Sequence, residues 1–397
     1  MTRAVGAVGI VAEYNPFHTG HVWHIAETKR QLGEGKPIVC VMSGNWVQRG
    51  ECGLINKWKR AEMALHGGAD LVLELPLPWA ISSAENFARG SIDILKATGV
   101  VDTISFGSES GCLDEMFRVA EAIKTKEFQK ALHEELDKGF SFAEARQKAV
   151  YQIIGDTSRL LGGANDNLGV EYIRAAGESF RMLAVPRLGA GHNSLCPTDK
   201  FASATYLREL ARHGEMEKAA EWMEAKNYDV LRRTDISNMK YVERAVLARL
   251  RQMKEKEFEC LPDSGAAEGL PVRLVKAAER ANSLEEFYGL AKTRRYAHSR
   301  IRRLALWAFL GMTEKDRPAA PSYLRVLGAN ERGRDLLRQM KKEGTLPVLT
   351  KPAHIRRLPE EAQTLFSIES RGTDLYGLCF ENIKPCGMDY TTGPVLL

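Results

Sequence analysis

Five short apolar runs alternate with amphipathic stretches through the first two hundred residues, and this alternation limits the fold more than any other feature. AVGAVGIVAEY, PIVCVMSG, ADLVLELP, VDTISFGSE and RMLAVPRL are β-like. HVWHIAETKRQL, NKWKRAEMALHGG, SSAENFARGSIDILKATG, MFRVAEAIKTKEFQKALHEEL, LGVEYIRAAGES and SATYLRELARHG carry the helical period. Strand then helix, repeated, is the pattern of a parallel sheet flanked by helices. Ligands of such sheets lie beyond the strand C-termini, where the chain turns into the helices. NPFHTGH, SGNWVQRG, ELPLP and FGSESG all fall at such turns.

From about Met216 the pattern becomes mostly helical and increasingly basic, and LPDSGAAEGLP reads as a loop between helices. The expected architecture is therefore α/β, with a Rossmann-like parallel-sheet domain over 1–212 followed by a mostly α-helical, basic domain over 213–397. Between Gly289 and Arg357 there are 17 Lys and Arg against 5 Asp and Glu, whereas the rest of the chain has 39 against 46. That asymmetry points to a polyanionic partner for the C-terminal part. With 44% hydrophobic residues among 397, the chain has enough apolar side chains for a sizeable core.

No apolar run is long enough for a membrane span, and the N-terminus lacks a signal-peptide pattern, so a cytosolic protein with no membrane partner is expected. The seven scattered cysteines include no CxxC pair, which argues against a disulfide framework or a structural zinc site.

The chemistry concentrates at NPFHTGH. Pro16 ends the strand by favouring an extended Asn15, and Gly20 removes a β-carbon where a ligand could approach the backbone. His18 and His21, three residues apart, share one face of a helix. There they face a helix N-terminus that already favours an anion, and they can donate to charge growing on a phosphate. An ordinary turn, or half of a zinc site, would also account for two histidines. In ASATYLREL, Ser203 and Thr205 suit a helix start, and Arg208 one turn on suits a phosphate; a plain N-cap is the alternative. In SGNWVQRG, Asn45, Gln48 and Arg49 could line a pocket for a carboxylate or a base, with Lys57 and Arg60 facing phosphate; the alternative is a solvated loop. Glu74 in LVLELP is either a buried helix-capping acid or a catalytic one.

HTGH together with SATYLR resembles the paired HxGH and SxTxxR signatures of the nucleotidyltransferase superfamily, and no KMSKS-like segment is present. VAEYNPFHTGH, SGNWVQRGECGLINKWKRAEMALHGGADLVLELP, ISFGSES, ANDNLGVEYIRA and PRLGAGHNS resemble the bacterial tRNA(Met) cytidine acetate ligases. The likeness is strong over about 210 residues and loose beyond. It implies His18 and His21 as catalytic residues acting at the ATP α-phosphate. It implies an ATP site of Val11, Ala12, Glu13, Tyr14, Asn15, Pro16, Phe17, His18, Gly20, His21 and His24, joined by Gly107, Asn165, Arg187, Ser203, Thr205 and Arg208. Ala164 stands where the family commonly has proline.

The resemblance further implies ATP and acetate as substrates, magnesium accompanying ATP, an acetyladenylate intermediate, and N4 of the wobble cytidine of elongator tRNA(Met) as acceptor. No protein-bound metal and no DNA partner are expected. Arg294, Arg295, Arg300, Arg302 and Arg303, beside Tyr296 and Trp307, are the expected tRNA contacts, by phosphate pairing and base stacking. Two other functions share parts of this pattern: a small-molecule adenylyltransferase, and a non-catalytic RNA-binding protein with a relic nucleotide site.

Overall fold

In the computed structural model, which describes residues 6–187, 201–265 and 268–397, all five β-like runs form strands. β1 (Ala7–Ala12) and β2 (Ile38–Ser43) lead to a small antiparallel hairpin, β3 (Trp46–Val47) with β4 (Glu51–Cys52). The sheet resumes with β5 (Leu71–Leu75), β6 (Val101–Ser108) and β7 (Arg181–Pro186). β1 lies between β2 and β6, and every pairing among β5, β2, β1, β6 and β7 is parallel. The chain runs outward from β1 through β2 to β5, then returns to build β6 and β7 on the other side. The order reverses between β1 and β6, so a crevice opens at the C-terminal ends of those two strands.

The near-continuous apolar character of β2 and β5 reflects helices on both faces. The long helical stretch after β6 divides into Leu113–Ile123 and Lys126–Asp137, because Thr125 accepts the N–H of Phe128 and starts a new helix.

The sheet does not end at residue 212. β8 (Leu324–Ala329) pairs antiparallel with β5, and β9 (Val348–Leu349) and β10 (Val395–Leu396) pair in parallel with β8. These strands cover the edge that the apolar β5 would otherwise expose. LRVLGA does not read as a buried strand because Arg325 interrupts it, yet Arg325 is buried among acids. Its Nη1 lies 2.6 Å from Asp389 Oδ1 and its Nε 3.4 Å from Glu74 Oε2. Lys57 Nζ completes the cluster, 2.7 Å from both Glu74 Oε1 and Asp389 Oδ1. Lys57 therefore does not face phosphate, and Glu74 is the buried ion-pair partner of Lys57 and Arg325 rather than a helix cap. Between the sheet strands β7 and β8 the described residues are mostly helical, and these helices bury their own core around Leu250, Phe258, Phe287, Ile301 and Trp307. Among the described residues no helix is long and apolar enough to cross a membrane.

Candidate active site

β1 ends at Ala12, and the chain turns at the crevice mouth into the helix α1 (Thr19–Leu32), whose N-cap is His18. His18 Nδ1 accepts the Gly20 N–H at 3.0 Å, and His21 Nδ1 accepts the His18 N–H at 3.2 Å. Each ring spends its Nδ1 lone pair on the helix start, which puts the proton of each neutral imidazole on Nε2. The pair thus offers two N–H donors beside the positive end of the helix dipole. A β-carbon on Gly20 would lie 2.8 Å from His18 Cε1, so glycine here makes room for the imidazole, and Gly20 itself lines the cleft. Tyr14 and Phe17 brace His21, with ring centroids 4.9 and 5.3 Å away. Phe17 and Pro16 are buried behind it and do not line the cleft.

The β6 side of the cleft carries Gly107, Asn165 and Arg187, with an apolar wall that includes Phe106, Leu168, Tyr172 and Val185. Asn165 is held by Glu109. That carboxylate accepts the Asn165 side-chain amide at 2.6 Å and the backbone N–H groups of Asn165 and Asp166 at 3.1 and 2.8 Å. Asp166 in turn accepts the Ser108 hydroxyl and the Glu109 N–H, which locks the end of β6 to the helix Ala164–Ala176. Ala164 is the first residue of that helix, a position where proline fits equally well, so the substitution leaves Asn165 at the cleft. His24 Nε2 lies 3.0 Å from Ser105 Oγ; burial, and secondarily the Arg187 guanidinium, lower its pKa to about 4. The remainder of PRLGAGHNS, residues 188–194, lies outside the described residues.

The helix Ala204–Arg212 closes a further side of the cleft. Ser203 is its N-cap and accepts the Tyr206 N–H at 3.0 Å, so its role is at the helix start; it does not line the cleft. Thr205 and Arg208 do. Arg208 donates to Asn15 O at 2.8 Å and to Thr205 Oγ1 at 3.1 Å, and Glu51 Oε1 stands 3.5 Å from its Nη2.

The fourth wall is the hairpin. Gln48 and Arg49 line the cleft, and the Gln48 N–H donates to Glu13 Oε1 at 2.8 Å. Asn45 does not reach it: its amide donates to Thr373 at 3.1 Å and accepts from the Lys57 N–H at 2.8 Å. Arg60 is likewise internal, donating to the carbonyls of Glu13 (2.6 Å), Ile55 (3.2 Å) and Gly44. Gly50 closes the hairpin with φ of +76°, and a β-carbon there would lie 2.6 Å from the Arg302 carbonyl carbon. The hairpin that faces the cleft on one side thus abuts the basic helix His298–Phe309 on the other.

The sequence profile of the family described as HIGH Nucleotidyl Transferase matches residues 5–389. The tRNA(Met) cytidine acetate ligase of Caldanaerobacter subterraneus subsp. tengcongensis is 35% identical over 400 residues, covering 97% of this chain and 98% of that protein. The chain belongs to the tRNA(Met) cytidine acetate ligase family. A member from Fervidobacterium nodosum is 36% identical over 370 residues, covering 90% of this chain and 86% of that one. The crystal structure of apo Thermotoga maritima TmcAL superposes with a TM-score of 0.92 at 33% identity, covering 99% of both chains. The form of that protein bound with alpha-thio ATP gives 0.89.

In this acetate ligase family member the five basic-region arginines do not form one surface. Arg294 is exposed, 3.3 Å from Glu144, and Arg295 is exposed beside it. Arg300 pairs with Glu268 at 3.0 Å, Arg302 lies over the Tyr288 ring and 3.4 Å from Glu285, and burial lowers Arg303 to about 10. Tyr296 and Trp307 are core residues, and the Tyr296 hydroxyl donates to Glu268 O, so neither can stack on a base. A groove of about 510 Å³ that sequence reasoning missed collects Arg273, Lys276 and Arg280 from the helix Leu270–Arg280 beside Arg295. Lys276 and Arg280 follow the i, i+4 spacing that would have identified this face.

Proposed function

We propose that this chain is an ATP-dependent acetate ligase that forms acetyladenylate and then acetylates N4 of the wobble cytidine of elongator tRNA(Met), giving N4-acetylcytidine. The observation that carries the proposal is the meeting of His18, His21, Thr205 and Arg208 in one cleft, beside a hairpin packed on the basic helical region. Acetate is ionised at neutral pH and needs no general base, only alignment and relief from phosphate repulsion. Its oxygen attacks the α-phosphorus, the bond to the β-phosphate breaks, and pyrophosphate leaves. The Nε2–H donors of His18 and His21 meet charge growing on the α-phosphate, and Arg208 holds the departing pyrophosphate. The cytidine amine then attacks the acyl carbon, the acyl–oxygen bond breaks, and AMP leaves.

Magnesium is proposed as the partner of the triphosphate. Such an ion would be held chiefly by phosphate oxygens and water and would neutralise phosphate charge. Residues 1–212 would carry adenylation and the helices of 213–397 the tRNA, in the cytoplasm. The groove at Lys276, Arg280 and Arg295 supports the tRNA assignment better than Arg300 or Arg303.

The test is a label-transfer assay with ATP, magnesium, labelled acetate and total tRNA. ATP-dependent label in tRNA is expected. ATP consumption only with a small-molecule acceptor would replace the ligase by an adenylyltransferase.

A further inference from the structure

We propose that Glu13 is the general base of the second half-reaction, taking the proton from the cytidine N4 amine as it attacks the acetyl carbon. The inference rests on the ligase function proposed above. An exocyclic cytosine amine is a poor nucleophile, and the N–C bond it forms leaves a proton that must go to an acceptor within hydrogen-bond reach. In that step the N4–C bond forms, the bond from the acyl carbon to the AMP oxygen breaks, the pair leaves on AMP, and the N4 proton passes to a Glu13 carboxylate oxygen.

Glu13 is the first residue after β1 and lines the cleft between the histidine turn and the hairpin. One oxygen, Oε1, accepts the Gln48 N–H at 2.8 Å, which fixes the carboxylate's direction. The other, Oε2, takes no hydrogen bond from a described residue and is not sealed from the cleft. The position is also on the correct side. Gly107 stands on β6, Asn165 on the helix Ala164–Ala176 and Arg187 just past β7, whereas Glu13 faces the hairpin that abuts the basic helix at Gly50 and Arg302. A base brought in along the hairpin side would come within reach of Glu13.

The charged and titratable groups around Glu13 come from every neighbouring element: Arg49 on the hairpin, Glu51 on β4, Arg60 on α2 (Lys57–His66), Tyr172 on the helix Ala164–Ala176, and Arg208. Burial lifts the carboxyl above its ordinary pKa, against the pull of the Gln48 N–H, Arg49 and Arg208. A carboxylate lifted in this way is a stronger base than a solvated one.

The test separates the two half-reactions in the full-length protein. Glu13→Gln keeps an acceptor for the Gln48 N–H but cannot take a proton. Adenylate formation is followed by acetate-dependent exchange of labelled pyrophosphate into ATP. Transfer is followed by single-turnover acetylation of tRNA. In Glu13→Gln, transfer is expected to fall by about 10²-fold or more, at least about tenfold more than adenylate formation falls. The wild-type transfer rate should rise with pH as Glu13 loses its proton, and that rise should vanish in Glu13→Gln and survive in Glu13→Asp.

Equal losses in both half-reactions would make Glu13 a part of the ATP site alone and overturn the proposal, as would unchanged transfer. Should Glu13→Gln fail to fold, loss of the pH-dependent rise in Glu13→Asp overturns it too. Wild-type protein that makes no adenylate at all would instead remove the ligase function on which the inference rests.

Discussion

His18 and His21 stack with ring centroids 3.8 Å apart, and each ring's Nδ1 accepts a backbone N–H of the turn that begins α1. The arrangement gives one residue two jobs, capping through Nδ1 and donation through Nε2. Asparagine can reproduce the first and not the second, because its side-chain oxygen occupies roughly the Nδ1 position and nothing reaches the place of Nε2. His21→Asn should therefore melt within a few degrees of wild type while adenylate formation falls about 10²- to 10³-fold, the scale of one lost transition-state donor. Undiminished pyrophosphate exchange by the variant would remove His21 from the reaction.

His24 provides a stability test. Its folded pKa of about 4 lies below the ordinary 6.5 because the ring is buried beside Ser105 and near Arg187. A histidine with a depressed folded pKa binds fewer protons folded than unfolded between those two values. Stability is complete above about pH 6.5 and is lost as pH falls toward 4, by up to about 3 kcal/mol. His24→Asn should flatten that part of the profile, read as the urea midpoint at pH 5 against pH 7.5. Parallel profiles for the two proteins would show that His24 does not contribute to the acid limb.

The residues legible in the sequence are those whose role is local. His18, His21, Gly107 and Arg187 stand at or just beyond strand ends, where the period of the flanking runs already says that the chain is turning into a crevice, and Asn165 stands at the start of the helix Ala164–Ala176. Asn45 just past β2, and Lys57 and Arg60 on the helix α2 that follows the hairpin, carry the same polarity, yet they serve Thr373, Asp389 and Gly44. No local pattern reveals that those partners return to the sheet three hundred residues later, or within it. Arg325 hid a strand for the same reason: a charge in an apolar run reads as a surface residue unless its buried acid is known. Tyr296 and Trp307 show the converse, since aromatics among arginines suit either base stacking or a helical core, and here the core claims them.

The Lys57 cluster should behave as a buried network. Lys57 and Arg325 balance Glu74 and Asp389, all with side chains at most 4% exposed. Removing one cation leaves two carboxylates sharing a single guanidinium in a dry core, which costs on the order of 3–5 kcal/mol. Lys57→Met should show that loss in chemical denaturation, and adding Glu74→Gln should recover a substantial part by removing the uncompensated charge. Additive losses in the double variant would mean that the two side chains act independently.

The basic groove makes a prediction that the single run of arginines does not. Arg303 is half-buried and Arg300 is paired with Glu268, so replacing them should lower stability more than RNA affinity. Lys276, Arg280 and Arg295 are exposed around one depression, and Arg273 is tied to the carbonyls of Leu290 and Ala291 at 2.7 Å, which holds the end of the neighbouring helix in place. If each of the three exposed cations neutralises one tRNA phosphate, the slope of log affinity against log salt should fall by about two units in the triple alanine variant, at roughly 0.7–0.9 per contact. Filter binding of tRNA between 50 and 200 mM salt (roughly the range where such contacts dominate) would read the slope directly. Adenylate formation without tRNA should stay at the wild-type rate, because the groove is lined by none of the cleft residues. An unchanged slope with weakened affinity would assign these side chains to the shape of the helical region, and the phosphate contacts would then be sought at Arg294 and along the exposed rim of the hairpin.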